Sequence, residues 1–342
     1  MKPLPRGGMR QAALLLALPL LVVVSGCTIP GTAISIPLFG FGNTISLEND
    51  VVVITRLSAL PSTVVGGQPV KLVATVKNQG SKAFTDEEAG SAISTSELPI
   101  TVDLFDYCDG LFTRAAITTE CPGEEPGKGK TTCDITNLLP EETVEVRWTL
   151  TPDEATRLIT PCTLKVGASY PYQTASLTTV HFINSVEYNR RIAEGSFSPR
   201  SSTTSLGEGP VKAWWEVKDQ QPIIAAPGDP GLIPVTLRVE NKGIGFLQNR
   251  GQPSYEVDIL NNNIFEAPFT AANQEEQCAD DIKDKKITRL IQGRRELPCA
   301  IAQLADKDVG KESTRQLQVD IGYVYEFRKE TKVTVEPRPL QE

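Results

Sequence analysis

Short runs of alternating hydrophobic and polar residues, separated by turn-forming clusters, dominate the chain from Val51 onward. An alternation with a period of two is typical of strands that have one buried face and one solvated face. No long run has the 3.6-residue period of a helix, so the pattern predicts an all-β protein. The predicted strands are Val51–Arg56, Val70–Lys77, Ile100–Phe105, Thr143–Leu150, Thr163–Tyr172, Thr178–Ile183, Val211–Val217, Ile233–Glu240, Ser254–Leu260, Arg315–Tyr325 and Thr331–Val335.

Residues 185–210 interrupt this alternation with Gly, Ser, Pro and mixed charge, including an unbroken Ser/Thr run at 201–205. Such a composition is typical of an exposed connection between domains. We therefore expect one domain at 51–184 and a second at 211–337, followed by a short tail at 338–342.

The second predicted domain repeats the first, block by block. The matching blocks are 70–80 with 233–243 at an offset of 163, 102–104 with 257–259 at 155, 133–138 with 299–304 at 166, and 164–182 with 317–335 at 153. The offset changes only between blocks, as loops of different length would change it on a shared strand framework. The repeat predicts two copies of one β-sandwich, with the paired tyrosines Tyr170/Tyr172 and Tyr323/Tyr325 in core positions.

Three short motifs carry a resemblance to a known family. They are Val-Lys-Asn-Gln-Gly80 with its counterpart Val-Glu-Asn-Lys-Gly243, the Leu138-Leu139-Pro140-Glu141-Glu142 turn, and the closing strand pair. Together they resemble the immunoglobulin-like cell-adhesion-related (CARDB-type) domain of bacterial and archaeal surface proteins. The resemblance implies two tandem, non-catalytic immunoglobulin-like sandwiches, and it supplies no catalytic residues. The cysteines and long inserts depart from the family pattern, so a loop-borne function would be particular to this chain.

The N-terminal segment indicates export. Three basic residues precede the apolar run Ala12–Val24, and small residues then lead to Cys27. This run is too short to span a bilayer as a helix, which takes about 20 residues. We predict a signal peptide at 1–26, lipid attachment at Cys27 and a tether at 27–50. An uncleaved signal anchor is the alternative, and both place the remainder on the extracytoplasmic face of the membrane.

The charge of the mature chain narrows the choice of partners. Without residues 1–26 the chain has 31 Lys and Arg against 42 Asp and Glu, a formal charge of −11. An acidic surface argues against binding nucleic acid or anionic lipid head groups.

Six cysteines are left after Cys27, and an even number in an exported chain predicts disulfides. If the bonds stay within each domain, Cys278 pairs with Cys299. The repeat equates Cys299 with Cys133, which selects a Cys121–Cys133 pair and leaves Cys108 to pair with Cys162. These bonds would hold the long loops at 108–133 and 269–299, which are predicted to be structural or, alternatively, to form a recognition surface.

Side chains that could support catalysis or metal binding are sparse. The chain has one histidine, His181, and neither a Cys-x-x-Cys nor a Gly-x-Ser-x-Gly motif. We therefore predict no catalytic residue, no metal site and no cofactor. Two acidic groups lack the spacing of a calcium-binding EF-hand loop and are predicted to be solvated. They are Asp103, Asp106 and Asp109, and Asp280, Asp281 and Asp284.

Trp214 and Trp215 are the candidate contact residues. One ring is expected in the core, and the other at the domain junction or facing a partner.

The resulting hypothesis is a lipid-anchored surface protein that contacts an envelope or surface protein. The alternatives are a lipoprotein that binds a solute or polysaccharide near the two tryptophans and, third, an extracytoplasmic hydrolase.

Overall fold

A computed structural model describes residues 49–84, 99–228, 231–248, 257–261, 278–287 and 289–339. The predicted signal peptide, Cys27 and nearly all of the tether lie outside the described residues. No helix within these ranges is long and apolar enough to cross a membrane.

Strands dominate the described part of the chain. They are β1 (Val52–Leu60), β2 (Thr63–Val65), β3 (Val70–Asn78), β4 (Ile100–Asp106), β5 (Thr118–Glu120), β6 (Gly127–Lys128), β7 (Thr132–Ile135), β8 (Thr143–Leu150), β9 (Thr160–Ile183), β10 (Thr203–Leu206), β11 (Val211–Val217), β12 (Ile223–Ile224), β13 (Leu232–Asn241), β14 (Phe246–Gln248), β15 (Val257–Asn261), β16 (Lys286–Ile287), β17 (Arg294–Ala302) and β18 (Glu312–Glu336). The α-helices are α1 (Ser185–Ala193), α2 (Asp280–Lys283) and α3 (Asp306–Val309), and a 3-10 helix covers Arg114–Ala116. The all-β prediction is confirmed.

The first sandwich has the strand order of an immunoglobulin domain. One sheet runs β1-β3-β8-β5-β6, and the facing sheet contains β7, β4, the start of β9 and the end of β18. The short strand β2 runs parallel to the end of β18. This arrangement corresponds to the ABED and CFG sheets of the fold. Alternate residues such as Leu72, Ala74 and Val76 fill the core between the sheets.

The second sandwich is built in the same way from the later strands. One sheet runs β11-β13-β17, and the other contains β16, β15, the start of β18 and the end of β9. The short strand β12 runs parallel to the end of β9, as β2 does to the end of β18. Both sandwiches are therefore immunoglobulin-like.

The two sandwiches share the long strands β9 and β18. These strands of 24 and 25 residues pair antiparallel over almost their whole length, from Thr160 opposite Val335 to Ile183 opposite Glu312. Residues 326–336 complete the first sandwich, whereas 172–183 complete the second. Each sandwich thus takes its last strand from the other half of the chain, and the 24 residues of β9 span about 80 Å at ~3.3 Å per residue.

The predicted breaks within these strands are wrong. The sequence predicts separate strands at Thr163–Tyr172 and Thr178–Ile183, whereas residues 173–177 between them belong to β9. Thr174 and Ser176 in this stretch are buried, and the Ser176 hydroxyl donates to the Ala213 carbonyl oxygen, just as the Thr178 hydroxyl beyond it donates to that of Trp215 at 3.0 Å. The strand therefore continues, and residues 172–183 lie in the second sandwich although they were expected within a first domain at 51–184.

The segment expected to be a simple linker, 185–210, contains α1 and β10. Helix α1 begins because the Asn184 side chain accepts a hydrogen bond from the Val186 amide at 2.9 Å. Strand β10 adds to the edge of β9 at residues 176–179. The composition of this segment predicts an exposed connection without regular structure. The cap at Asn184 and the pairing of β10 with β9 nevertheless give it a helix and a strand.

Candidate functional site

The junction, defined here as the middle of β9 and β18 with the turns packed on it, brings four tyrosines together. Tyr170 lies opposite Tyr325 and Tyr172 opposite Tyr323, with ring centroids 5.9 and 6.3 Å apart. All four side chains are buried. Burial is the main cause of the raised pKa values of their hydroxyls, so they stay protonated at neutral pH. The tyrosines form the core of the junction, and no exposed aromatic platform results.

The tyrosine hydroxyls tie the junction to the first strand of each sandwich. The Val51 amide, next to β1, donates to the Tyr170 hydroxyl at 3.2 Å, and the Val211 amide of β11 donates to the Tyr323 hydroxyl at 3.2 Å. Tyr325 contacts the Asn241 side-chain oxygen at 3.0 Å. The Tyr170 and Tyr323 contacts are equivalent because these two tyrosines are counterparts in the internal repeat.

The Asn-x-Gly turns of the two sandwiches are bound by carboxylates from the opposite half of the chain. Asp50, which precedes β1, accepts a hydrogen bond from the Ile244 amide at 3.1 Å. Glu208, which precedes β11, accepts from the Ser81 amide at 2.9 Å. Neither carboxylate is among the residues predicted from the sequence, although an acidic residue shortly precedes the first strand of each half.

Asp50 differs from Glu208 in its surroundings. It is 2% exposed, and burial raises the pKa of its carboxyl above the ordinary value despite hydrogen bonds that oppose the shift. Its second carboxylate oxygen, Oδ1, is buried and accepts no hydrogen bond from the described residues. Ionisation of Asp50 at neutral pH therefore lowers the stability of the folded state.

The structure pairs the described cysteines as Cys108 with Cys162, Cys121 with Cys133, and Cys278 with Cys299. These are the pairs that the sequence predicts. The Cα atoms are 6.0 Å apart in the first pair and 5.6 Å apart in the second. The first bond joins the loop after β4 to the start of β9, and the second joins residues on either side of β6.

The repeat correspondence behind this pairing is nevertheless wrong. Cys299 of β17 lies opposite Val235, and the counterpart of Val235 in the first sandwich is Leu72, which lies opposite Trp148 of β8. Trp148 is therefore the equivalent of Cys299. Cys133 belongs to β7, which pairs with β4 in the other sheet. The two Cys-x-Ile segments share an alternation that any half-buried strand can have.

The two tryptophans occupy different environments. Trp215 is 1% exposed, and its indole N–H donates to the Gln318 carbonyl oxygen at 3.3 Å. Trp214 is half-buried on the outer face of its sheet, opposite Arg238, whose guanidinium pairs with Glu216 at 2.6 Å. The expectation of one core ring is met by Trp215, and Trp214 is the ring available for contact.

The candidate chemical groups do not assemble into a reactive site. The His181 ring lies 3.3 Å from the Thr314 hydroxyl. Asp106 pairs with Lys165 at 2.8 Å, and Asp281 pairs with Arg295 at 2.8 Å. Among the described residues, no three His, Cys, Asp or Glu side chains come together as metal ligands.

No protein-family model and no curated protein matches this chain. Among solved structures, the D0-D1 domain of intimin is 10% identical and covers 83% of this chain and 99% of its own, with a TM-score of 0.15. The collagen adhesin of S. aureus is 8% identical and covers 84% and 94%, with a TM-score of 0.11. These scores are too low to support a functional argument. The fold assignment follows from the strand order, and the resemblance to CARDB-type domains stays a prediction.

Proposed function

We propose that this chain is a membrane-anchored extracytoplasmic protein that holds two immunoglobulin-like sandwiches as one rigid unit for contact with another protein. The observation that carries the proposal is the exchange of β9 and β18 between the sandwiches. A hinge between domains needs a few residues that absorb dihedral changes. Two hydrogen-bonded strands cross this junction instead, which favours a rod of fixed geometry.

The position of Asn49, at the start of the described residues, supports a geometry in which both ends of the rod can contact a partner. The Asn49 side-chain amide donates to the Lys242 carbonyl oxygen at 3.4 Å, at the junction. An anchor joined at this point leaves the loops at the two far ends directed away from the attachment. Disulfide pairing of all the described cysteines agrees with an oxidising compartment.

The alternatives have less support. A solute site built on both tryptophans is disfavoured because the Trp215 ring is buried and its N–H is already bonded. A hydrolase that uses His181 is disfavoured because, in the part of the chain that the structure describes, the ring lies against the hydroxyl of Thr314, a residue within a regular strand.

The test combines localisation with cross-linking on intact cells. We expect the wild-type chain in the membrane fraction with a lipid on Cys27, and a Cys27→Ser variant that is released or retains its N-terminal peptide. Cross-links from either end of the rod to one envelope protein would support the contact role. Cytoplasmic recovery of the wild-type chain, or only non-specific cross-links, would contradict the proposal.

A further inference from the structure

An open cleft of about 470 Å³ lies at the end of the first sandwich that is remote from the junction. One wall is the loop after β4, which contributes Asp109 and Leu111, and the other wall is the loop before β9, which contributes Arg157 and Leu158. Binding sites for small ligands typically have volumes of about 300–1,000 Å³. The cleft therefore has the size for a short segment of another chain.

The two walls are held together at the base of the cleft. The Asp153 amide donates to the Leu111 carbonyl oxygen at 3.0 Å, and Phe112 forms a β-bridge with Pro152. On the other side, the Cys108–Cys162 disulfide fixes the first loop to β9. Cys108 has a φ of 57°, a left-handed conformation that is uncommon for a residue other than glycine. These restraints pre-organise the walls, which lowers the entropy lost when a ligand binds.

Two charged side chains of the cleft, those of Arg157 and Asp109, are available to bind a ligand. Within the described ranges, the side chains of Arg157 and Asp109 have no hydrogen bond or ion pair. The acidic side chains nearest to Arg157 in sequence are engaged elsewhere. Asp153 accepts from the Ala155 amide at 2.9 Å, and Glu154 pairs with Arg338 at 3.4 Å.

We propose that this cleft binds an extended peptide segment in which a carboxylate follows an aliphatic side chain. The Arg157 guanidinium would bind the carboxylate, since its fork of N–H donors matches carboxylate geometry. Leu111 and Leu158, the latter 75% exposed, would cover the aliphatic group. The Asp109 carboxylate would accept a peptide N–H. This site deepens the proposed contact role and rests on it for its biological partner.

The test is an NMR titration of the full mature, disulfide-bonded chain with three peptides: acetyl-Ala-Leu-Asp-amide, its Asn analogue, and acetyl-Ala-Leu with a free carboxyl end. We expect saturable shifts of the Gly110, Leu111 and Arg157 amides with the Asp peptide, at a dissociation constant of about 1 mM. The Asn analogue should bind about tenfold more weakly. The third peptide distinguishes a side-chain carboxylate from a chain terminus as the natural source.

Variants identify the residues responsible. Arg157→Gln and Leu158→Ser should each weaken binding about tenfold, and both positions are exposed, so folding should be unaffected. Arg56→Gln, which removes an exposed arginine from β1, is the matched control and should bind as wild type. Absence of saturable shifts, equal binding of the Asp and Asn peptides, or full binding by Arg157→Gln would overturn the proposal. Because the titration uses the isolated chain, such a result leaves the cellular test of anchoring and contact independent.

Discussion

Pro171 and Val324 lie opposite each other in β9 and β18, and they are also equivalent positions of the internal repeat, 153 residues apart. This pair therefore marks a pseudo-two-fold axis through the junction. The axis relates the Tyr170–Tyr325 pair to the Tyr323–Tyr172 pair, and it relates the two carboxylate-bound turns to each other. The two halves of the chain are related by this axis, and each half supplies the last strand of the other half's sandwich.

Strand exchange predicts which engineered cysteines form a disulfide. Lys165 of β9 lies opposite Glu330 of β18. If each half instead folded back on itself, the residue opposite Lys165 would be Leu177, the repeat counterpart of Glu330. We expect a Lys165→Cys/Glu330→Cys variant to form the cross-strand disulfide on mild oxidation, as mapped by peptide mass spectrometry.

The matched control is the Lys165→Cys/Leu177→Cys variant. These positions are 12 residues apart on one continuous strand, which corresponds to about 40 Å. No intramolecular bond should form between them. Efficient closure of the 165–177 pair, with little closure of the 165–330 pair, would indicate two consecutive sandwiches without exchange.

Alternation along the strands was enough to predict the all-β fold, whereas the exchange could not be read from it. Lys329 shows why, because it lies between the two separate strands that the sequence predicts at Arg315–Tyr325 and Thr331–Val335. The Lys329 ammonium instead donates to the Thr55 carbonyl oxygen at 2.7 Å and to that of Ile54 at 3.1 Å. A polar residue in a strand is tolerated when it bonds a neighbouring backbone, and that neighbour is distant in sequence.

The register between neighbouring strands also could not be predicted from the alternation of hydrophobic and polar residues. The sequence repeat matches Val102 to Val257, yet Val102 lies opposite Ala168, and Ile321, the counterpart of Ala168, lies opposite Ile259. The true offset is 157, two residues from the predicted offset of 155. A shift of two leaves every side chain on the same face, so the alternation cannot detect it. The junction carboxylates were missed for a related reason: their partners are turns almost 200 or more than 120 residues away.

Replacing Asp50 should change how stability depends on pH. Burial raises the pKa of this carboxyl above 3.8, so the folded state holds its proton more tightly than the unfolded state does. The stability of the wild type should therefore fall relative to Asp50→Asn as the pH rises above 3.8. Paired thermal melts from pH 3 to 7 measure the difference directly.

The Asp50→Ala variant separates the charge from the hydrogen bond. Asn keeps an acceptor for the Ile244 amide, whereas Ala leaves that donor without a partner. We expect Asp50→Ala to cost about 1–3 kcal/mol at pH 7, and Asp50→Asn to be at least as stable as wild type. Equal pH profiles for wild type and Asp50→Asn would contradict the electrostatic cost assigned to this residue.

Glu187 on α1 should contribute stability in the opposite pH direction. Its carboxylate accepts hydrogen bonds from Arg190 and Arg191, which lower its pKa to about 2. The ionised form is favoured by folding, so the contribution is present above pH 4.5 and is lost as the pH falls toward 2. Glu187→Gln should lower the thermal midpoint at pH 7, with a difference that narrows below pH 4.5. A constant difference across this range would exclude the ion pairs as its cause.

The disulfides should differ in their contribution according to the length of chain that each encloses. Cys108 and Cys162 are 54 residues apart, whereas Cys121 and Cys133 are 12 apart. Loop-closure entropy predicts a loss of about 4 kcal/mol for Cys108→Ala/Cys162→Ala and about 3 kcal/mol for Cys121→Ala/Cys133→Ala. Denaturant unfolding of the two double variants measures both losses under identical conditions. Because the 108–162 bond also fixes one wall of the cleft, its removal should weaken peptide binding, whereas removal of the 121–133 bond should not. A larger loss of stability for the shorter loop would show that native packing around Cys121 and Cys133, rather than chain entropy, dominates.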